Sequence, residues 1–262
     1  MSSLPSPLIE LPPLLLNKDD AARFTRSLIR EFERLAEGRS EMVIAPLPSI
    51  NIGDASYKLP RFAYLGANPE VTPIRLAIYG GWHGDDYRPT YALYRLLRQL
   101  LLHPGLGFGY QLIVYPFINP TGFLNHTREN ALGQDIKDDS WLFPQSPELQ
   151  ALGREFRSHG FDGWLSIQTV NDLDKIQART IGLPANADYF PVEQGRYSID
   201  WRNAEANHGP VEFTKDLPAK PFGLELDLPA HWPDDIISGR VLATSLGFLD
   251  RYRAARTLAH YI

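Results

Sequence analysis

Four short apolar runs constrain this chain more than anything else in it. Ile74–Tyr79 (IRLAIY), Gln111–Phe117 (QLIVYPF), Phe161–Gln168 (FDGWLSIQ) and Phe222–Leu228 (FGLELDL) are the runs; helical spacing separates the first three, while Leu183–Thr214, before the fourth, shows no clear period. Short apolar runs of this kind read as strands, Phe222–Leu228 carrying two carboxylates on alternate residues. The intervening pattern supplies the covering helices. Pro89 stands where a first helical residue is favoured, and Leu93, Leu96, Leu97, Leu100 and Leu101 line one side until His103-Pro104-Gly105 stops the helix. Ser146 is placed to cap a second helix running to His159, with Glu148 and Leu149 in its first turn. Asn17 opens an earlier helix that Gly38 ends, and Pro233-Asp234 opens a long terminal one. Met42–Ala45 and Leu59–Leu65 read as further strands, with a turn around Asn51–Asp54. Strands alternating with helices predict an α/β fold: a mixed, mostly parallel twisted sheet with helices on both faces, in one domain over residues 1–262.

Composition removes several classes of function. The 262 residues are 44% hydrophobic and 22% charged, with a net charge of −5 and no basic stripe, so no nucleic acid and no anionic membrane surface is expected as a partner. There is no cysteine, which excludes disulfides, thiolate nucleophiles and sulfur-ligated metals. The N-terminal segment lacks a basic region and is interrupted by Pro12-Pro13, unlike a signal peptide; a cytoplasmic protein is the expectation. No G-x-S-x-G occurs, which argues against a serine hydrolase.

Chemistry concentrates where strands end. The Ile74–Tyr79 run leads into GGWHGDD, which sets His83 three residues before Asp86 at the mouth of a strand–loop–helix unit. An imidazole and a carboxylate there can hold a metal, although Asp85 and Asp86 also suit the N-terminus of the following helix. The polar stretch from Asn119 to about Phe143 carries Asn119-Pro120, Arg128, Asn130 and Lys137. Arg128 has an alternative there, pairing with Glu129 or Asp135. Gln168 closes one strand, where tying down a loop is the simpler role. Glu225 alternates with Leu224 and Leu226 in another; in a sheet covered on both sides it is a buried carboxylate that needs a partner. Leu183–Thr214 shows no period.

The ordered set resembles the zinc carboxypeptidase family, in spacing its succinylglutamate desuccinylase and aspartoacylase branch. GGWHGDD is similar to that family's G-x-H-G-x-E, INPTGFLNHTRENALGQDIKDD to its Asn-Pro, arginine and G-x-D-L-N-R stretch, FDGWLSIQT to the strand ending in a third ligand, and PFGLELDLP to the strand carrying a catalytic glutamate. The resemblance spans roughly Ile74 to Leu228. It implies a carboxypeptidase-like fold and a metal-dependent hydrolase that cuts an amide in a small acylated amino acid or peptide. Zinc or another divalent metal would be held by His83, Asp86 and Gln168. Such a metal lowers the pKa of bound water from about 15.7 toward ~7. Glu225 would be the base and Arg128 the oxyanion group, with Asn130 and Lys137 at the substrate. Three positions depart from the pattern. Asp86 replaces a glutamate, Gln168 replaces a histidine, and Lys137-Asp138 replaces an Asn-Arg clamp. A carboxamide is a poor zinc donor beside a single imidazole. These departures motivate the alternative of a catalytically inactive relative that binds a ligand or partner in the same cleft.

Overall fold

The computed structural model describes residues 18–52, 55–66, 72–141, 143–181, 198–203 and 222–259. The expected cap at Asn17, the tip of the 51–54 turn and most of the aperiodic 183–214 stretch lie outside those residues.

Among the described residues, ten strands and five α-helices follow in order: α1 (Lys18–Ala36), β1 (Met42–Ile44), β2 (Ile50–Ile52), β3 (Ala55–Tyr57), β4 (Phe62–Leu65), β5 (Ile74–Tyr79), α2 (Arg88–Leu102), β6 (Tyr110–Tyr115), α3 (Pro120–Asn125), α4 (Pro147–His159), β7 (Gly163–Val170), β8 (Ile176–Ile181), β9 (Ile199–Asn203), β10 (Phe222–Pro229) and α5 (Asp234–Ala259). Eight strands form one sheet in the order β1-β4-β6-β5-β7-β10-β8-β9, while β2 and β3 pair as a separate hairpin. The centre, β6-β5-β7-β10, is parallel. Antiparallel pairs flank it, β4 against β6 on one side and β8 against β10 on the other. The four apolar runs of the sequence are the four parallel central strands, and the mixed sheet agrees with expectation.

Strand alternation sorts the core into two layers. Leu76 and Ile78 of β5, Leu165 and Ile167 of β7, and Leu224 and Leu226 of β10 pack with α1, α2 and α5. Ala77 and Tyr79, Ile113 and Tyr115, and Trp164 pack on the opposite face with Leu149, Leu152 and Phe156 of α4. On that second face the apolar layer stops short of the β10 side. There it gives way to Ser166, Gln168, Glu225 and Asp227, all buried. No helix among the described residues is long and apolar enough to cross a membrane.

Two local expectations change. The stretch after β6 is not all loop. Asn119 caps α3 by accepting the Gly122 N–H at 2.8 Å, and His126 ends that helix in the left-handed region at φ 53°. Ser146 precedes α4 but makes no side-chain capping bond; Asp139 takes the Ser146 and Gln145 N–H groups from outside instead. In addition, β8 and β9 are strands that local periodicity did not mark.

Candidate functional site

The loop after β5 is fixed by close packing. Gly84 lies so near α3 that a Cβ there would fall 1.8 Å from the Gly122 carbonyl carbon. Gly81 carries the positive φ of 70° that turns the chain out of the strand. Trp82 then folds back over the sheet and donates its indole N–H to Ser166 at 3.2 Å. Ser166 stands beside Glu225 in the β7–β10 register, so the His83 loop and the Glu225 strand meet on the same face.

His83 follows, 8% exposed, with no hydrogen-bond partner on Nε2. Asp135 is its nearest charge: Oδ1 lies 3.4 Å from Nε2, outside hydrogen-bond geometry. Burial pushes the imidazole below its ordinary pKa, Arg128 adds to that, and Asp135, Asp85 and Asp86 oppose it; the ring is held toward its neutral form. Asp135 also accepts the Arg128 Nε–H at 2.7 Å and, through Oδ1, the backbone N–H of Lys137 at 3.1 Å. The Lys137 ammonium sits 5.0 Å above the Trp82 ring. His83, Arg128 and Lys137, remote in the chain, are thus gathered around Asp135 and Trp82. Arg128 takes the Asp135 partner foreseen as its alternative and is about half exposed.

Asn130 is organised inward. Its Oδ1 accepts the Leu132 and Gln134 N–H groups at 3.0 Å, and its Nδ2 donates to Gln134 and Glu148 at 3.1 Å. These contacts shape the loop that carries Arg128 and Asp135. Glu148 is fully buried, with Oε1 unpartnered, and burial raises its pKa above the usual carboxylate range; Asn130 offsets part of this. The native state therefore keeps the Glu148 proton to higher pH than the unfolded chain does. Stability attributable to this group falls as pH rises from the ordinary glutamate value through the raised one. Glu148→Gln cannot titrate. Its stability relative to the parent should rise between pH 4 and pH 7 in urea denaturation; a difference independent of pH would refute the assignment.

Asp86 is fully engaged. Its Oδ1 accepts from the Arg88 backbone N–H at 3.1 Å and from Arg88 Nε at 2.7 Å. Its Oδ2 accepts from Arg88 Nη2 at 3.1 Å and from the Thr169 hydroxyl. Asp86 thus stands one residue before Tyr87, the N-cap of α2, and is half of an arginine fork.

Gln168 donates its side-chain N–H to Asp227, its register partner on β10. Asp227 and Glu225 share one cation: Arg179 Nη2 lies 2.8 Å from Asp227 Oδ2 and 3.0 Å from Glu225 Oε2, and Nε donates to Glu225 at 3.2 Å. Tyr79 adjoins the same group; burial, then the Glu225 charge, push its hydroxyl well above the ordinary pKa. Sequence reading did not identify Arg179 or Asp227 as site residues. The carboxylates on alternate positions of FGLELDL were visible, but which of them meets Gln168 is set by register.

The resemblance implies zinc or another divalent metal, and the donors here do not fit one. Thr169 and Gln168 are neighbours on β7, so their side chains leave opposite faces of the sheet. Asp86 is bonded to Thr169 on the α2 side, whereas Gln168 is bonded to Asp227 on the α4 side. Among the described residues, no three histidine, aspartate or glutamate side chains are placed to share an ion.

No family model matches the chain, and no curated protein sequence is significantly similar. Solved structures are similar in fold. A metallo-carboxypeptidase from Burkholderia cenocepacia superposes with a TM-score of 0.67 at 14% identity, covering 85% of this chain and 68% of that one. A candidate metallopeptidase from Shewanella amazonensis gives a TM-score of 0.60 at 21% identity, covering 87% and 91%. A Pseudomonas aeruginosa metallo-carboxypeptidase, in complex with (2-guanidinoethylmercapto)succinic acid, gives 0.59 at 18%, covering 86% and 68%. The chain has the metallo-carboxypeptidase-like fold.

Proposed function

We propose that this chain is a catalytically inactive relative of the metallo-carboxypeptidases that binds a small amide-bearing ligand or peptide in their cleft. One observation carries the reading: Gln168, at the position where the resemblance expects a third metal ligand, is bonded to Asp227, and Arg179 holds both Asp227 and Glu225. A general base has to be free to accept a proton at the reacting atom. Both carboxylates of β10 are instead committed to a guanidinium. The buried, unpartnered Nε2 of His83, the Arg128 side chain and the Lys137 ammonium supply polar contacts for a ligand without needing a metal. The metal-dependent amide hydrolase remains a second reading, and the same His83 nitrogen favours it, because a neutral imidazole with an open nitrogen is what a metal takes.

The two separate in one assay. The protein is incubated with N-acetylated amino acids and short peptides, with and without added zinc, and products are followed by mass spectrometry beside ligand-induced thermal shifts. The proposal expects no turnover above buffer, and a shift of about 2 °C or more for at least one compound, diminished at least tenfold in apparent affinity by His83→Ala. Turnover that Glu225→Gln abolishes would establish the hydrolase.

A further inference from the structure

Arg88 does something the fold alone does not require. It lies at the start of α2, directly before Pro89, and every nitrogen it presents is used. Nε and Nη2 hold Asp86 in a fork at 2.7 and 3.1 Å, and Nη1 donates to the Ala230 carbonyl just beyond β10. The two side chains are 15% and 11% exposed. A guanidinium keeps its charge throughout the accessible pH range. An ionised carboxylate offers about four lone-pair sites. Asp86 receives two donors on each oxygen, so all four are taken.

Across the sheet end, Arg179 does the same for Glu225 and Asp227. The part-buried Asp86 and the buried Glu225 and Asp227 are thus matched by two internal guanidiniums and the Gln168 amide. A divalent cation arriving at His83 would meet a filled carboxylate and the positive charge of Arg88 directly behind it.

We infer that Arg88 closes the His83 site to divalent cations: its guanidinium is a built-in counter-ion that holds Asp86 in a fork at the start of α2. The inference rests on the reading that the cleft binds its ligand without metal, and it names the residue that makes it so. It separates two changes that sequence comparison would merge. Gln168 lacks the donor chemistry for zinc, but restoring an imidazole there does not free Asp86. Removing the Arg88 side chain takes its charge and two of the four donors from Asp86, leaving the residue-88 backbone N–H and Thr169, but keeps a carboxamide as third donor.

Cobalt(II) reports the outcome through its visible absorption, independently of any activity. The intact protein, Gln168→His, Arg88→Met and the doubly substituted protein are titrated, with folding checked by circular dichroism. The expected result is one equivalent of cobalt in the double variant, at least 100-fold tighter than in either single variant or the parent. If Arg88→Met does not fold beside Gln168→His, Arg88→Gln, which keeps a donor for Ala230 while losing the charge, takes its place. Gln168→His alone binding as tightly as the double variant would overturn the role of Arg88 and leave the metal-free reading standing. A folded double variant that binds no cobalt would also overturn it. One equivalent bound by the parent protein would overturn both.

Discussion

Replacing Arg179 with methionine is expected to lower the unfolding free energy by roughly 3–5 kcal/mol, the cost of leaving buried carboxylates without their partner. Glu225 and Asp227 are each 4% exposed, and Arg179 is the cation both of them touch. Methionine keeps most of the stem volume and removes the charge, so cavity formation contributes little. For a domain of this size the melting temperature should fall by about 6–20 °C. Adding Glu225→Gln and Asp227→Asn to Arg179→Met removes both stranded charges and should recover more than half of the loss. Such recovery is the signature of an ion cluster, because a purely steric defect would deepen with each further substitution. Thermal melts and urea denaturation of the single and triple variants decide it; a loss below about 1 kcal/mol for Arg179→Met would mean that the two carboxylates find water or another donor.

Gly84→Ala should be the most damaging single methyl group in the His83 loop. The added carbon would lie 1.8 Å from the Gly122 carbonyl carbon and 2.2 Å from the Phe123 nitrogen. Both are backbone atoms, so no side chain can turn aside. Either the loop lifts or α3 shifts, and overpacking of this kind costs about 3 kcal/mol or more. The loop carries Trp82, whose indole is bonded to Ser166, and the shift should change Trp82 fluorescence together with stability. Gly239→Ala is the control. It lies within α5 with nothing within 4 Å of its added carbon, and it should be neutral or stabilise by up to about 1 kcal/mol. A Gly84→Ala protein as stable as the control would show that the loop is not seated against α3.

The fold was legible where burial is local. Each central strand carries its own apolar signal, and α2 and α4 carry helical spacing with Pro89 and Pro147 at their starts. The polar end of the sheet was not legible, for a physical reason. In β8, IQARTI, one face presents Gln177 and Arg179, which reads as solvent-facing in isolation. In the structure those residues stand opposite Asp227 and Glu225 of β10. Their complementarity exists only across strands remote in sequence, so no window along the chain contains it. Arg88 was hidden differently. Its neighbour Pro89 announces a helix start, and nothing nearby says that the preceding guanidinium turns back onto Asp86. The gathering of His83, Arg128 and Lys137 around Asp135 was anticipated only in part: a common loop could be read, but the central place of Asp135 could not.

Zinc binding to the unaltered protein is the most direct test of the central claim, that internal guanidiniums have taken over the charge balance of a cleft whose fold belongs with metallo-carboxypeptidases. Protein prepared without chelators is equilibrated by dialysis against micromolar zinc, and metal is counted per chain by mass spectrometry. Less than a tenth of an equivalent is the predicted result. One full equivalent, lost in His83→Ala, would contradict it.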